Sequence, residues 1–255
     1  MSEQVSIDRR FRGPPESGHG GYVCGVVAEL IGSTAEVTLR RPPPLDRTLS
    51  VERLDGGGVV LRDAETVIAE GAPTSLEIEV PEPVTLTDAE NAATAYRGFR
   101  HQAFPTCFAC GPRRAEGDGL RIFPGLVRGR KVVAAPWTPD ASLADQDGTV
   151  QPQFLWAALD CPGAWAWAPA PGLSSLLQGV LRLIPALRRP VVLGRLAAKP
   201  IAPVHAGEPH VVIGWALGAE GRRRFSGTAL FSANGGLRAI ARSTWIRLSR
   251  PPRPG

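Results

Sequence analysis

Residues 153–163, which read QFLWAALDCPG, form an apolar run that carries a single carboxylate, Asp160. The run is typical of a helix, and apolar side chains lie on almost every side of it. We therefore expect a sheet to wrap around this helix, rather than the helix to lie on the outside of a sheet. A carboxylate in such surroundings costs free energy unless it is paired, hydrated or used in chemistry. Asp160 is thus the first candidate for a functional residue.

The composition is that of a globular protein. The chain has 255 residues, of which 43% are hydrophobic and 21% are charged, enough for one large domain or two small ones. No uncharged apolar stretch reaches the length of about 18 residues that a membrane span needs. The first residues, MSEQ, lack the basic and apolar regions of a signal peptide. We expect a cytoplasmic protein without a membrane partner.

The net charge of +5 does not indicate nucleic-acid binding. The basic residues are scattered along the chain, apart from short clusters at Arg188–Arg189 and Arg222–Arg224. There is no basic arm and no aromatic-basic motif of the kind that RNA-binding domains carry, so we expect no nucleic-acid partner. A small polyanionic ligand is compatible with this composition because arginine suits phosphate recognition.

The four cysteines predict reduced, buried thiols rather than a metal site. Cys107 and Cys110 form a single CxxC pair, whereas a structural zinc site needs a second pair of ligands. Neither Cys24 nor Cys161 has a ligand partner nearby in the sequence, and the four histidines are spread out. A redox CxxC would need a βαβ context, which is absent. We therefore expect no metal and no cofactor.

The two halves of the chain repeat one order of elements, a helix followed by antiparallel strands joined by short turns, which is α+β. In the first half, the glycine-rich residues 18–21 open a predicted helix at 22–31, and the predicted strands are 35–39, 48–54, 59–61 and 66–69. In the second half, a predicted helix runs from 152 to about 160, and the predicted strands are 191–196, 210–217, 225–231 and 237–248. A strong hairpin signal, Ala233-Asn234-Gly235-Gly236, joins the last two strands.

The duplication suggests a division of the chain into three parts. Residues 1–86 form the first repeat, residues 87–103 form a linker that contains a polar helix at 88–99, and residues 104–255 form the second repeat. Residues 173–187 are an apolar insertion interrupted by Pro185. This insertion is either a lid or acyl-tunnel wall, or an ordinary loop helix.

Three motifs in this order resemble the hotdog-fold thioesterase superfamily. Cys107-Phe108-Ala109-Cys110-Gly111-Pro112, followed by Gly119-Leu120-Arg121-Ile122, resembles the opening motif of hotdog thioesterases of the phenylacetate type. His19-Gly20-Gly21 resembles the HGG motif that starts the central hotdog helix, and residues 156–160 resemble the end of that helix with its catalytic acid. The resemblance implies a double hotdog, with two antiparallel sheets each wrapped around a central helix.

The resemblance also implies a reaction, the hydrolysis of an acyl thioester. The oxyanion that forms on the carbonyl is stabilised by a backbone N–H at a helix start, and a carboxylate activates water or attacks directly. In hotdog dimers the amide and the acid come from different protomers. We therefore expect Gly20 and Gly21 of one repeat and Asp160 of the other to form one composite catalytic site.

The spacing of the motif predicts that the second, pseudo-symmetric site is inactive. In a single hotdog, the acid lies eight residues after the first glycine of HGG. Counting eight back from Asp160 reaches Pro152, which has no N–H to donate. Counting eight forward from Gly20 reaches Ala28, which has no acid, although Glu29 lies one position further on.

The expected substrate is an acyl-CoA or an acyl carried by ACP. Six residues are candidates for substrate binding: His19, Tyr22, Gln153, Trp156, Thr228 and Arg195. Further pairing into a homodimer of double hotdogs is common among such proteins. The alternative is a non-catalytic hotdog protein that binds an acyl-CoA or a lipid-like ligand. A hydratase is disfavoured, because its motif needs a histidine five residues after the acid, where this chain has Trp165.

Overall fold

The computed structural model describes residues 3–167 and 190–249. The predicted insertion at 173–187 and the basic pair at 188–189 lie outside the described residues. Among the described helices, none is both long and apolar enough to cross a membrane.

The described residues form one antiparallel sheet of eleven strands and three α-helices. In chain order the strands are β1 (Gln4–Ser6), β2 (Ala35–Leu39), β3 (Thr48–Arg53), β4 (Val59–Asp63), β5 (Thr66–Pro73), β6 (Gly125–Leu126), β7 (Val132–Trp137), β8 (Val191–Pro200), β9 (His210–Glu220), β10 (Arg223–Ser232) and β11 (Leu237–Arg247). The helices are α1 (Gly20–Ile31), α2 (Leu86–Thr94) and α3 (Pro152–Trp165).

The sheets of the two halves are joined edge to edge. The strand order is β1-β3-β4-β5-β2-β8-β11-β10-β9-β7-β6, so the first half lies on one side of the β2–β8 pair and the second half on the other. At this junction the paired residues run from Ala35 with Ala198 to Thr38 with Arg195. The two antiparallel sheets that the sequence predicts are therefore continuous with each other.

Helices α1 and α3 pack against each other and share one core. Helix α1 contacts β2 and β5 of its own half, whereas α3 contacts β9 and β10 of the second half. Buried residues of both helices and of both halves of the sheet belong to a single hydrophobic cluster. Each half therefore has the central helix that the apolar residues around Asp160 predict.

A second, smaller core lies on the other face of the sheet. Along β7, Ala135 and Trp137 belong to the helix core, whereas Val132 and Ala134 belong to a separate cluster. Side chains alternate between the two faces of a strand, so the two clusters lie on opposite faces. Helix α2 contributes Ala89 to the second cluster, and residues of the predicted linker thus pack against the second half. The proposed boundaries of the three parts stay a prediction.

The predicted end of the second central helix is wrong. Helix α3 continues past Pro162 to Trp165 instead of ending near Asp160, and two hydroxyl groups of β10 bind its carbonyls. Thr228 donates to the Leu159 carbonyl at 2.8 Å, and Ser226 donates to the Gly163 carbonyl at 2.7 Å.

Three strands were also missed. Strands β1 and β6 are too short to show a pattern, and β7 is buried on both faces, so its sequence does not alternate.

Candidate active site between the two central helices

The start of α1 meets the middle of α3 at very short range. A Cβ atom built on Gly21 would lie 2.5 Å from the Asp160 Cβ and 2.7 Å from the Trp156 carbonyl oxygen. One turn further along α1, a Cβ on Gly25 would overlap the Gln153 backbone. Only glycine permits such an approach of two helices. The HGG segment of the first half is thereby placed against Asp160 of the second half.

A buried hydrogen bond joins the two halves at this point. The Gly21 N–H donates to Asp160 Oδ2 at 2.7 Å, and His19 Nε2 lies 3.3 Å from the same oxygen. Asp160 and His19 are 2% and 3% exposed. The other carboxyl oxygen, Asp160 Oδ1, is buried and has no hydrogen-bond partner among the described residues.

The His19 side chain caps the start of helix α1 through its Nδ1 atom. Its Nδ1 accepts from the Tyr22 N–H at 3.3 Å, as an N-cap side chain does. A neutral imidazole that accepts at Nδ1 carries its proton on Nε2. That proton then faces Asp160 Oδ2 and also Cys161 Sγ, which is 3.4 Å from Nε2.

Burial shifts the pKa values of both side chains toward their uncharged forms. Desolvation raises the pKa of Asp160 to about 8, although the Gly21 N–H acts in the opposite direction. Desolvation lowers the pKa of His19 to about 4. The imidazole is therefore uncharged at neutral pH, so its contact with Asp160 is not an ion pair.

The contact between α1 and α3 is closed in this structure. Asp160 accepts from the Gly21 N–H, which is the donor that the HGG resemblance predicts for a substrate carbonyl. A surface cleft of about 740 Å³ lies elsewhere, and its lining includes Trp137, Asp140 and Arg121 but neither Gly21 nor Asp160. A ligand at Gly21 must therefore displace the Asp160 carboxyl group.

Two of the predicted substrate-binding residues are core side chains next to this contact. Tyr22 stacks on Phe11 with ring centroids 4.2 Å apart and packs against Phe154. Trp156 is 1% exposed, and its carbonyl faces Gly21. Both side chains therefore pack in the core beside the contact between α1 and α3.

The other three predicted substrate-binding residues are engaged in separate contacts. Thr228 is fully buried and donates to α3. Gln153 donates from Nε2 to the Gln151 side chain at 2.7 Å, although its buried Oε1 has no partner among the described residues. Arg195 is exposed and binds Glu36 and Thr38 across the β2–β8 junction. The structure thus brings together His19, Gly21 and Asp160, whereas Thr228, Gln153 and Arg195 lie outside that hydrogen-bonded set.

Three of the four cysteines meet beside this site, which sequence reasoning missed. Cys107 Sγ lies 3.8 Å from Cys161 Sγ and 3.7 Å from Cys110 Sγ. Hydrogen bonding between the paired thiols raises the pKa of Cys107 and lowers that of Cys110. One of the three, Cys161, directly follows the predicted site residue Asp160 in the sequence. That adjacency was the one available signal.

No family model and no curated protein matches the sequence. Solved structures nevertheless match nearly the whole chain. The tesB protein of Mycobacterium avium subsp. paratuberculosis has a TM-score of 0.58 and 11% identity, over 96% of this chain and 92% of that one. A protein of unknown function with a hot dog fold from Alicyclobacillus acidocaldarius has a TM-score of 0.56 and 10% identity, over 97% and 93%. The chain is a double hotdog.

A third structure agrees with this fold. A candidate oleoyl thioesterase from Lactobacillus plantarum has a TM-score of 0.55 and 10% identity, over 98% of this chain and 96% of that one. At these identities the likeness establishes the double hotdog fold, with a central helix in each repeat, but not the reaction.

Proposed function

We propose that this double hotdog hydrolyses an acyl thioester at the contact between α1 and α3. The observation that carries the proposal is the buried 2.7 Å hydrogen bond from the Gly21 N–H to Asp160 Oδ2. It brings an amide at a helix start together with a carboxyl group from the other repeat, which are the two groups that the reaction needs. The description of the Lactobacillus plantarum structure as a candidate oleoyl thioesterase points in the same direction.

The first step of the proposed reaction is an exchange of acceptors at Gly21. The carbonyl oxygen of the thioester replaces Asp160 Oδ2 at the Gly21 N–H, at the positive end of the α1 dipole. This donor then stabilises the negative charge that develops on the oxygen. Loss of one such donor typically costs on the order of 10²–10³ in rate.

Once displaced into contact with water, the Asp160 carboxyl group gives up the proton that burial favours, and the carboxylate acts as general base. It accepts a proton from a water molecule whose oxygen forms a bond to the carbonyl carbon. The tetrahedral species collapses with cleavage of the C–S bond, and the departing thiolate takes up the proton. Direct attack by Asp160 on the carbonyl carbon is the other route open to a carboxylate.

The unpartnered Asp160 Oδ1 supports the proposal that the contact between α1 and α3 opens when the substrate binds. A buried oxygen without a donor costs free energy, and a water or substrate group that reaches it would recover that cost. We place the substrate among acyl thioesters of coenzyme A or ACP. Four unpaired cysteines are compatible with the reducing cytoplasm, where such thioesters occur.

The second candidate function is binding of an acyl-CoA or a lipid-like ligand without turnover. The closed contact favours it, because Gly21 and Asp160 satisfy each other and Asp160 is 2% exposed. A protein that only binds its ligand does not need these groups to face a thioester.

One experiment separates the two functions. Acyl-CoAs of increasing chain length, and the matching acyl-ACPs, are incubated with the protein and a thiol-trapping dye, and the same ligands are tested by thermal shift. The dye signal of protein without substrate corrects for its own four cysteines. Release of thiol in proportion to enzyme concentration supports hydrolysis. Stabilisation without thiol release supports the binding protein and contradicts the hydrolase.

A further inference from the structure

We propose that Cys107, Cys110, Cys161 and His19 bind one zinc ion, an inference that goes beyond the proposed hydrolysis and does not depend on it. Structural zinc sites use four ligands in a tetrahedral arrangement, and three cysteines with one histidine is a common set. Here the ligands come from a loop, from α3 and from the residue before α1. His19 and Cys161 are 142 positions apart in the chain.

Three of the distances between the side chains match edges of a zinc tetrahedron. Zn–S bonds of about 2.3 Å imply sulfur–sulfur separations of about 3.8 Å, and a Zn–N bond of about 2.0 Å implies sulfur–nitrogen separations of about 3.5 Å. The structure has 3.7 Å between Cys107 and Cys110 Sγ, and 3.8 Å between Cys107 and Cys161 Sγ. His19 Nε2 is 3.4 Å from Cys161 Sγ. The Cys107, Cys161 and His19 ligand atoms all lie within 4.8 Å of one another, and Cys110 Sγ, which contacts Cys107 Sγ, completes the set after a movement toward the other two ligands.

The loop that carries the CxxC pair is a tight turn. The Gly111 N–H donates to the Cys107 carbonyl at 2.9 Å, and a Cβ on Gly111 would lie 2.5 Å from the Cys107 nitrogen. This turn brings the two thiols of the pair within contact distance of each other. A C-x₂-C spacing of this kind supplies two of the four ligands in many zinc sites.

Groups around Cys110 hold its sulfur in place, as outer contacts do at metal sites. Gln102 Nε2 donates to Cys110 Sγ at 3.3 Å, and the Tyr96 hydroxyl donates to the Cys110 carbonyl at 2.9 Å. Gln102 Nε2 also donates to the Tyr96 hydroxyl at 2.9 Å. An N–H group directed at a sulfur suits a metal-bound thiolate better than a neutral thiol, which is a weak acceptor.

All four side chains are buried, which indicates a structural rather than a catalytic ion. The three cysteines are between 4% and 6% exposed, and His19 is 3% exposed. Four protein ligands leave no open position for water or substrate. The ion would tie the backbone at the start of α1 to that of α3, whereas the Asp160 side chain, which is not a ligand, would still be free to leave the Gly21 N–H.

His19 is the ligand that must change its protonation to bind the ion. Coordination through Nε2 moves the ring proton to Nδ1, so the Nδ1 contact with the Tyr22 N–H is lost. The buried Tyr22 N–H then lacks its acceptor, which costs free energy. We therefore expect His19 to contribute less to zinc retention than each of the cysteines.

The test is the metal content of the full chain, expressed with zinc in the medium and purified without a chelator or a histidine tag. Elemental analysis should find about one zinc per chain, and X-ray absorption should find about three sulfurs near 2.3 Å and one nitrogen near 2.0 Å. A zinc-free protein that stays folded, a shell of oxygen and nitrogen only, or another metal on these residues would overturn the proposal.

Substitutions of the proposed ligands test which side chains bind the zinc ion. Cys161→Ser and Cys107→Ser should each lose most of the zinc, His19→Ala should lose part of it, and His19→Cys should restore it. Cys24→Ser is the matched control, since Cys24 is also a buried free cysteine but lies on α1 outside the cluster, and it should keep about one zinc per chain. Full retention by Cys161→Ser would contradict the site.

Some of these variants can fail to fold, so a measurement on the wild type complements them. Replacing the zinc with Co²⁺ should give the intense thiolate charge-transfer and visible bands of a tetrahedral site. Weak bands of an octahedral cobalt ion would contradict the four ligands.

Discussion

The start of α1 and the start of α3 occupy equivalent places in the two repeats, but they meet different partners. At α1, His19 caps the helix and the Gly21 N–H binds a carboxyl group from the other half. At α3, the helix begins at Pro152, its N-cap residue Gln151 makes no capping hydrogen bond, and the facing residue is Gly25. The first junction holds a buried carboxyl group, whereas the second holds the amide side chains of Gln151 and Gln153.

This difference shows how a duplicated fold can specialise its two halves. A symmetric dimer presents the same amide and the same acid twice, whereas a single chain can change each copy independently. Here the acid stands in the second repeat, at Asp160, and the motif spacing pairs Ala28 of the first repeat with the α3 start. We therefore expect changes at the α1 start to affect both stability and chemistry, and changes at the α3 start to affect stability alone.

The largest effect is expected for Gly21→Ala. The new methyl group would overlap Asp160 and the Trp156 carbonyl, so α1 and α3 must separate. We expect the free energy of unfolding to fall by about 3 kcal/mol, measured by chemical denaturation.

The control is Gly58→Ala, whose new Cβ would meet ordinary contacts of 3.4 Å, with an expected change below about 0.5 kcal/mol. Gly25→Ala tests the same close approach at the other junction and should also be destabilised. A Gly21→Ala protein as stable as the wild type would contradict the packing described for the two helices.

A smaller effect is expected for Thr228→Val. Valine keeps the shape of threonine but leaves the Leu159 carbonyl of α3 without its donor. The loss should be about 1–2 kcal/mol in the free energy of unfolding. The matched control is Thr38→Val on β2, because the Thr38 hydroxyl accepts a hydrogen bond from the exposed Arg195 side chain. If Thr228→Val lowers turnover but not stability, Thr228 takes part in substrate binding instead.

Pro152→Ala tests whether the second junction is inactive. The substitution supplies an N–H at the start of α3, but the position expected to face it, Ala28, has no acid. Thioester turnover should stay within about twofold of the wild type, with a loss of less than about 1 kcal/mol in stability from the freer unfolded chain. A change in turnover of tenfold or more would mean that both junctions contribute to catalysis.

The smallest effect is expected for Arg195→Gln. Its partner across the β2–β8 junction is Glu36, and the two side chains are 47% and 30% exposed. Exposed pairs contribute little, so the free energy of unfolding should change by less than about 0.5 kcal/mol. The role of Arg195 in binding coenzyme A phosphates stays a prediction, and a KM for acyl-CoA raised by several-fold with unchanged kcat would support it.

The fold was predictable because each repeat carries its own strong local signals. The apolar residues around Asp160 predict a helix surrounded by a sheet, and alternation predicts most of the strands. Strand β7 was not predictable, because burial on both faces removes the alternation. The joining of the sheets at β2 and β8 depends on pairing between residues about 160 positions apart, which no local pattern records.

The site was predictable only in outline. The spacing of the two motifs pairs the glycines of one half with Asp160 of the other, but it does not reveal that the two groups bind each other directly. The thiol cluster was out of reach for a related reason. Cys161 becomes a neighbour of the CxxC pair only when α3 packs beside the loop, 54 positions after Cys107.

The most direct test of the composite site is the steady-state hydrolysis of the preferred acyl thioester by Asp160→Asn, together with its melting temperature. An asparagine oxygen can still accept from the Gly21 N–H, and it replaces a buried carboxyl group whose raised pKa already favours the uncharged form, so the fold should keep its Tm. Turnover should fall by about 10² or more, since the general base is gone. Full activity in a folded Asp160→Asn protein would contradict the account.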